Sequence, residues 1–203
     1  MKIKKAILAG IVVSIVGYNY LLNYDVLSKI VFSVALIIIL TMNLNLFTSK
    51  VAIILCSELD TGSKIKDISV IFLGNAIACL FFGFLFSFLG ETHAGDIWEA
   101  KMQTNLFIAL YKAIVVGFLM QIAATCRHDL VTIGVVLLFI GTGGEHSIAN
   151  IVYMSVARAF SFKAVFYILI CAIGNAIGGL TIYLLNREKN LVSWEGYKFV
   201  PFF

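Results

Sequence analysis

GTGGEHSIAN, residues 141 to 150, breaks a long hydrophobic run with three glycines, a glutamate, a histidine and an asparagine. In water these residues would pass as a loop. Inside a bilayer no solvent satisfies exposed backbone, so non-helical chain is tolerated only where protein buries it or a water-filled path runs beside it. The bilayer is the relevant solvent. Of 203 residues, 61% are hydrophobic against 13% charged, and the mean hydropathy is +1.01, far from the balance of a soluble domain.

At about 20 apolar residues per crossing, the chain has room for five to seven helices and none for a separate soluble domain. Apolar windows predict six helices, over about 6–22, 26–57, 67–90, 104–126, 129–157 and 162–186. The second and fifth are interrupted, at TMNLNLFTSK (41–50) and at GTGGEHSIAN. Each of these runs is too long for one crossing and too short for two with a turn. The only proline, Pro201, is in the terminal SWEGYKFVPFF, so Gly, Asn and Thr must make the breaks.

The formal net charge of +4 is spread over loops and ends. That distribution argues for membrane orientation and against nucleic-acid binding. Ends or loops with Lys2, Lys4, Lys5, Lys64, Lys66, Arg127, Arg187, Lys189 and Lys198 alternate with loops holding Lys29, Lys101, Arg158 and Lys163. The richer set belongs in the cytoplasm by the positive-inside rule, which puts both termini there. ETHAGDIWEAKMQ (91–103) becomes the longest outside connection, and residues 187–203 become an amphipathic tail at the inner lipid interface. MKIKKAILAGIVVSIVG has the basic start and apolar run of a cleaved signal, but an internal repeat requires it as the first helix.

That repeat shows in GNAI, at Gly74–Ile77 and again at Gly174–Ile177. The breaks, centred on Thr48 and His146, precede the two asparagines at similar distances. Each half holds three spans, an odd number, so the second half must run upside down. The expected fold is an all-α membrane protein: one transmembrane domain over 1–203, with six helices in an inverted three-plus-three repeat (about 5–90 and 104–186) and helices 2 and 5 broken. Such pairs of broken helices build substrate sites near the midplane of transporters.

His146 is an ionisable group at membrane depth, which marks function by default. Asn150, one turn later on the same face, is placed to bond a permeant anion or to orient the ring. Glu145 faces either a neighbouring subunit or helix end, or the pore. Leu46 and Phe47 set a hydrophobic constriction beside the hydroxyl of Thr48, which strips water from a solute and offers a small replacement. Lys50 is solvated or anchors its loop, and Lys101 stands at the outer mouth, where it attracts anions or is merely solvated. Cys56, Cys79, Cys126 and Cys171 lack paired spacing and read as apolar filler.

LNLFTSK, LGNAIAC, GGEHSIANIVY and IGNAIGG together resemble the formate/nitrite transporter family, over roughly residues 5 to 186, with EHSIAN the sharpest match. The resemblance implies an aquaporin-like protomer and a homopentamer in which every protomer has its own pore. It makes His146 the central pore histidine, Thr48 its partner in the first break and Asn150 the asparagine one turn later. Leu46, Phe47, Phe32 and Leu36 match apolar residues of the flanking constrictions, Phe139 matches a phenylalanine seven positions before the histidine, and Lys101 matches the vestibule lysine. Asn45 stands where an acidic residue usually precedes LFT, Ser49 replaces a glycine found in some members, and the connection before GGEHS is short.

The expected activity is passive or proton-coupled passage of small monovalent anions such as formate, nitrite or hydrosulfide across the cell membrane. The expected partners are those anions, protons and membrane lipid, and no cofactor is expected. The chain has no G-x-x-x-x-G-K-[ST] loop for ATP. Two other classes compete. An intramembrane enzyme would use His146 and Glu145 as acid and base or as zinc ligands, but His93 and His128 fall at opposite predicted faces and cannot complete a zinc set. A membrane sensor or structural protein would conduct nothing.

Overall fold

The computed structural model describes residues 2–186, and the expected interfacial tail over 187–203 lies outside the described residues. The described chain folds into nine helices without strands: α1 (Lys2–Asn23), α2 (Val26–Thr41), α3 (Phe47–Leu55), α4 (Thr61–Phe86), α5 (Ala94–Gln103), α6 (Leu106–Cys126), α7 (Asp129–Gly141), α8 (Ser147–Val156) and α9 (Phe162–Leu185). Four of them, α1, α4, α6 and α9, are long and apolar enough to cross a membrane. The connection at 91–103 holds α5, which hydropathy did not reveal because AGDIWEAKMQ is short and polar. Its two buried residues, Ala94 and Trp98, lie one turn apart and dock it on the rest.

Asp25 and Asp60 start α2 and α4 as caps. Ser28 donates its backbone N–H to Asp25, and Ser63 does the same to Asp60, satisfying donors that a helix start leaves orphaned. Hydrogen bonds from the backbone and then the side chain of Ser28 hold the Asp25 carboxyl below its ordinary value. For Asp60 the side chain and then the backbone of Ser63 do this.

Residues 42–46 separate α2 from α3, and residues 142–146 separate α7 from α8. Both end their helix in the same way. Leu44 N–H reaches back to the Ile39 carbonyl at 2.8 Å and Asn43 N–H to Leu40 at 3.3 Å; Gly144 N–H reaches Phe139 at 2.6 Å and Gly143 N–H reaches Ile140 at 3.1 Å. This pair of backward bonds needs one left-handed residue, supplied by Asn43 at φ 55 and Gly143 at φ 63. Both residue types tolerate that region.

Beyond each break a short helix runs into the protein interior. Residues 47–54 of α3 and all of α8 are buried. Asn75 and Asn175, from the two GNAI segments, secure their starts. Asn75 accepts from Phe47 N–H at 2.8 Å and donates to the carbonyls of Asn45 at 2.9 Å and Ala6 at 2.7 Å. Asn175 accepts from Ser147 N–H at 2.9 Å and donates to the carbonyls of Glu145 at 2.9 Å and Ala113 at 2.8 Å. The helices carrying these asparagines approach their neighbours closely. A Cβ on Gly10 of α1 would stand 2.7 Å from Asn75 O, and one on Gly117 of α6 would collide with Asn175 O.

The start of α1 lies near the first break, where Asn45 Nδ2 donates to Lys2 O at 3.1 Å. Arg127, just after α6, shares a crevice with Asn43 and Lys50 on that side. The end of α1 is at the opposite face, where His93 N–H reaches Leu21 O at 2.9 Å, and there α6 begins after Thr104. Helices α1 and α6 therefore run in opposite directions.

Candidate functional site

His146 is the residue just before α8, and it caps that helix with its own ring: Nδ1 accepts from Ala149 N–H at 3.2 Å. A backbone N–H can only donate, so Nδ1 carries a lone pair and the proton of the neutral ring belongs on Nε2. Nε2 lies 3.0 Å from Thr48 Oγ1, across 98 positions of chain. The two helix starts thus meet through one hydrogen bond between fully buried groups. The histidine ring stacks on Phe139 at 5.7 Å, and Phe139 meets Phe32 edge-on at 5.9 Å. Packing on one side and capping on the other leave Nε2, bonded to Thr48, as the remaining polar edge of the ring.

Three cavities lie in series. The central one, about 20 Å³, is lined by Val13, Phe32, Ala35, Leu36, Ile39, Leu46, Met120, Val136, Phe139 and His146. It is apolar except at the histidine and has room for about one water-sized species. On the side of α5 a vestibule of about 180 Å³ is lined by Tyr20, Tyr24, Tyr153, Lys101, Lys112, Glu145 and Phe139, among others. On the side of the N-terminus a crevice of about 10 Å³ is lined by Ile39, Asn43, Ser49, Lys50 and Arg127, among others. Phe139 belongs to both the vestibule and the central cavity, and Ile39 to both the crevice and the central cavity. These two side chains separate the compartments.

Among the residues expected in the site, His146, Phe32, Leu36, Leu46 and Phe139 share the central cavity, with Thr48 bonded to the ring. Phe47 does not join them. It is the first residue of α3, its N–H is taken by Asn75, and its ring packs edge-on against Phe72 of α4 at 5.1 Å. Asn150 bonds neither the ring nor the central cavity: its Nδ2 donates to Glu145 Oε2 at 2.7 Å and to Cys171 Sγ at 3.6 Å. The ring is oriented instead by Ala149 N–H. Lys101 lines the vestibule, with Nζ 2.7 Å from the same Glu145 Oε2. Its ammonium is thereby compensated, in a pair whose side chains are 11% and 2% exposed. Removing one partner of such a pair typically costs about 3–5 kcal/mol. Lys50 is buried and donates to Asn43 Oδ1 at 3.3 Å, anchoring the first break.

Four further residues of the site carry weak or no signal of that role in the sequence. Ile39 is indistinguishable from its aliphatic neighbours in a continuous apolar run. Asn75 and Asn175 show in the sequence as parts of a repeat, and their role as anchors follows from the partners that a buried amide at membrane depth demands. Lys112 stands within FIALYKAIVV, and a charge inside an apolar window is the signal that could have found it.

The chain matches the formate/nitrite transporter family over residues 3–186. It is similar in structure to a solved FNT family ion channel, with a TM-score of 0.78 and 18% identity over 92% of this chain and 90% of that one. It is also similar to a solved pentameric formate channel with formate bound, with a TM-score of 0.71 and 17% identity over 91% of this chain and 94% of that one. No curated protein matches it by sequence. With the family match spanning nearly the whole described chain, this protein belongs to the formate/nitrite transporter family.

Proposed function

We propose that the protein carries small monovalent anions of weak acids, such as formate, nitrite or hydrosulfide, through the membrane together with a proton. The observation that carries this reading is the Thr48–His146 contact at 3.0 Å beside an apolar cavity between two mouths lined with cations. An anion entering the apolar segment loses hydration worth many kcal/mol, whereas the neutral acid loses far less. The acid forms by taking a proton from water in the mouth, crosses as a neutral molecule, and releases the proton on the other side. At the narrowest point it needs a hydrogen-bonding partner, and the Nε2–H of His146 and the hydroxyl of Thr48 offer one. Phe32 and Phe139 on one side and Leu36, Ile39 and Leu46 on the other exclude water and larger solutes.

The proposed architecture is a single channel domain of six spans, with α2–α3 and α7–α8 as broken second and fifth helices of an inverted repeat. The supporting facts are the duplicate Asn75 and Asn175 bonds, the duplicate helix ends and the opposite directions of α1 and α6. The register differs from the one suggested by sequence: equal hydrogen bonds pair Leu46, not Thr48, with His146. A homopentamer in the cell membrane with both termini cytoplasmic completes the proposal, supported by the pentameric relative and by the charge asymmetry of the loops. His146, Thr48, Leu46, Phe32, Leu36 and Phe139 are its pore residues.

Purified protein in liposomes tests the function with formate, nitrite, hydrosulfide, lactate and chloride. The first three are expected to cross, with lactate excluded by size and chloride by its inability to hold a proton in water. Absence of flux for every weak acid would refute the proposal.

A further inference from the structure

Lys101 and Lys112 both line the vestibule, but their surroundings differ. The Lys101 ammonium is 2.7 Å from Glu145 Oε2, an atom that also holds Asn150. That triad ties α5 to the start of α8 and carries no net charge. Lys112, contributed by α6, has no carboxylate or hydrogen-bond acceptor among the described residues. Its Nζ lies beside Gly143, 3.5 Å from the point where a Cβ would stand, and both residues line the same cavity.

We infer that Lys112, and not Lys101, is the group that gathers small monovalent anions in the vestibule ahead of the Phe139 constriction, an inference that rests on the anion-transport reading above. An ammonium already matched by a carboxylate adds little field at a distance, while an unmatched one in a concave, partly apolar mouth draws anions from solution. Lys101 is then a positioning residue that fixes Glu145 and, through it, Asn150. The position of Lys112 also matters chemically, because a concentrated anion next to water is where proton uptake must occur before dehydration.

The test is the salt dependence of formate flux in proteoliposomes containing the full chain. Raising ionic strength from about 0.01 M to about 0.15 M shortens the screening length from about 30 to about 8 Å. Wild-type flux at low formate is expected to fall about threefold to tenfold, a modest share of the steering range. Lys112→Gln should start near the high-salt rate and show almost no salt dependence, and Lys112→Arg should restore it. The double variant Lys101→Gln/Glu145→Gln keeps the net charge of the vestibule and should retain the salt dependence. Salt dependence preserved in Lys112→Gln, or lost in the double variant while Lys112 is intact, would overturn the inference. If the double variant does not fold, the Gln and Arg variants at 112 decide alone. Wild-type protein that moves no anion at any salt concentration would instead sink the transport reading.

Discussion

His146 has two tasks that one pair of substitutions separates. Its Nδ1 caps α8 and its Nε2 faces Thr48. Asparagine is among the best capping residues, and its Oδ1 falls near the position of Nδ1, whereas nothing in it reaches the position of Nε2. His146→Asn should therefore keep the helix start and lose the donor. Leaving a polar group of the permeant acid unpaired in a dry site costs about 1–3 kcal/mol, which corresponds to a drop of roughly 5- to 150-fold in formate flux. His146→Phe loses the donor as well as the cap, and so should show the same flux defect plus about 0.5–2 kcal/mol of lost stability. Proteoliposome flux measures the first effect, and thermal unfolding in detergent, with both variants beside wild type, measures the second. Wild-type flux in His146→Asn would remove the ring from the permeation path. Equal melting of the Phe variant and wild type would show that the ring does not cap.

Other substitutions probe the remaining parts. Thr48→Val keeps shape and deletes the hydroxyl, so flux of every substrate should fall without a change in their order. Phe139→Ala should admit lactate relative to formate, measured in the same liposomes; Phe47→Ala, whose ring packs on Phe72, should leave that selectivity unchanged and lower the melting temperature. Asn75→Leu and Asn175→Leu each orphan a buried N–H and a buried carbonyl at a break, costing about 2–6 kcal/mol at about 1–3 per group; similar losses of thermal stability at both positions are expected, and a large inequality would argue against equivalent roles. On the proposed mechanism, in which only the neutral acid crosses, formate flux should fall about tenfold per pH unit above the acid's own pKa; pH-independent flux would show passage of the bare anion. The Asp25 and Asp60 caps, with carboxyls held below 3.8, stabilise their helices above that value and lose this as pH falls through the lowered folded-state values. Amide exchange at Ser28 and Ser63 should thus accelerate only in strong acid and stay constant near neutrality.

Much of the architecture was legible because bilayer physics leaves strong marks. Runs of apolar residues gave the long helices, and GTGGEHSIAN could be a break only if the interior received it. Less legible was the precise register. Sequence placed Thr48 opposite His146, and the two do touch, but they touch as unlike partners: in the matched bonds of the breaks, Thr48 corresponds to Ile148 and His146 to Leu46. Contact and equivalence look alike in a linear sequence, and only the hydrogen bonds of Asn75 and Asn175 separate them. The direction of the Phe47 ring, which packs on Phe72, is hidden for a related reason. Two adjacent bulky residues at a helix start must point in different directions, and composition does not say which one enters the cavity. The roles of Lys101 and Asn150 depended on Glu145, whose partner is fixed by α5, a helix invisible to hydropathy.

Two helix starts with matching backbone bonds produce one polar site. Each break ends with a residue that precedes a buried helix and projects into the central cavity. Leu46 occupies that place in the first half and His146 in the second. Two histidines would put two polar rings into a space of about 20 Å³, and two leucines would leave the acid nothing to bond. One of each supplies a single donor edge against an apolar wall. The hydroxyl needed to complete the bond then comes from two residues further along α3, at Thr48, where the matching position of α8 holds Ile148. The two helix starts share the backbone bonds made by Asn75 and Asn175, and they differ at the side chains that, on the proposed mechanism, meet the permeant acid.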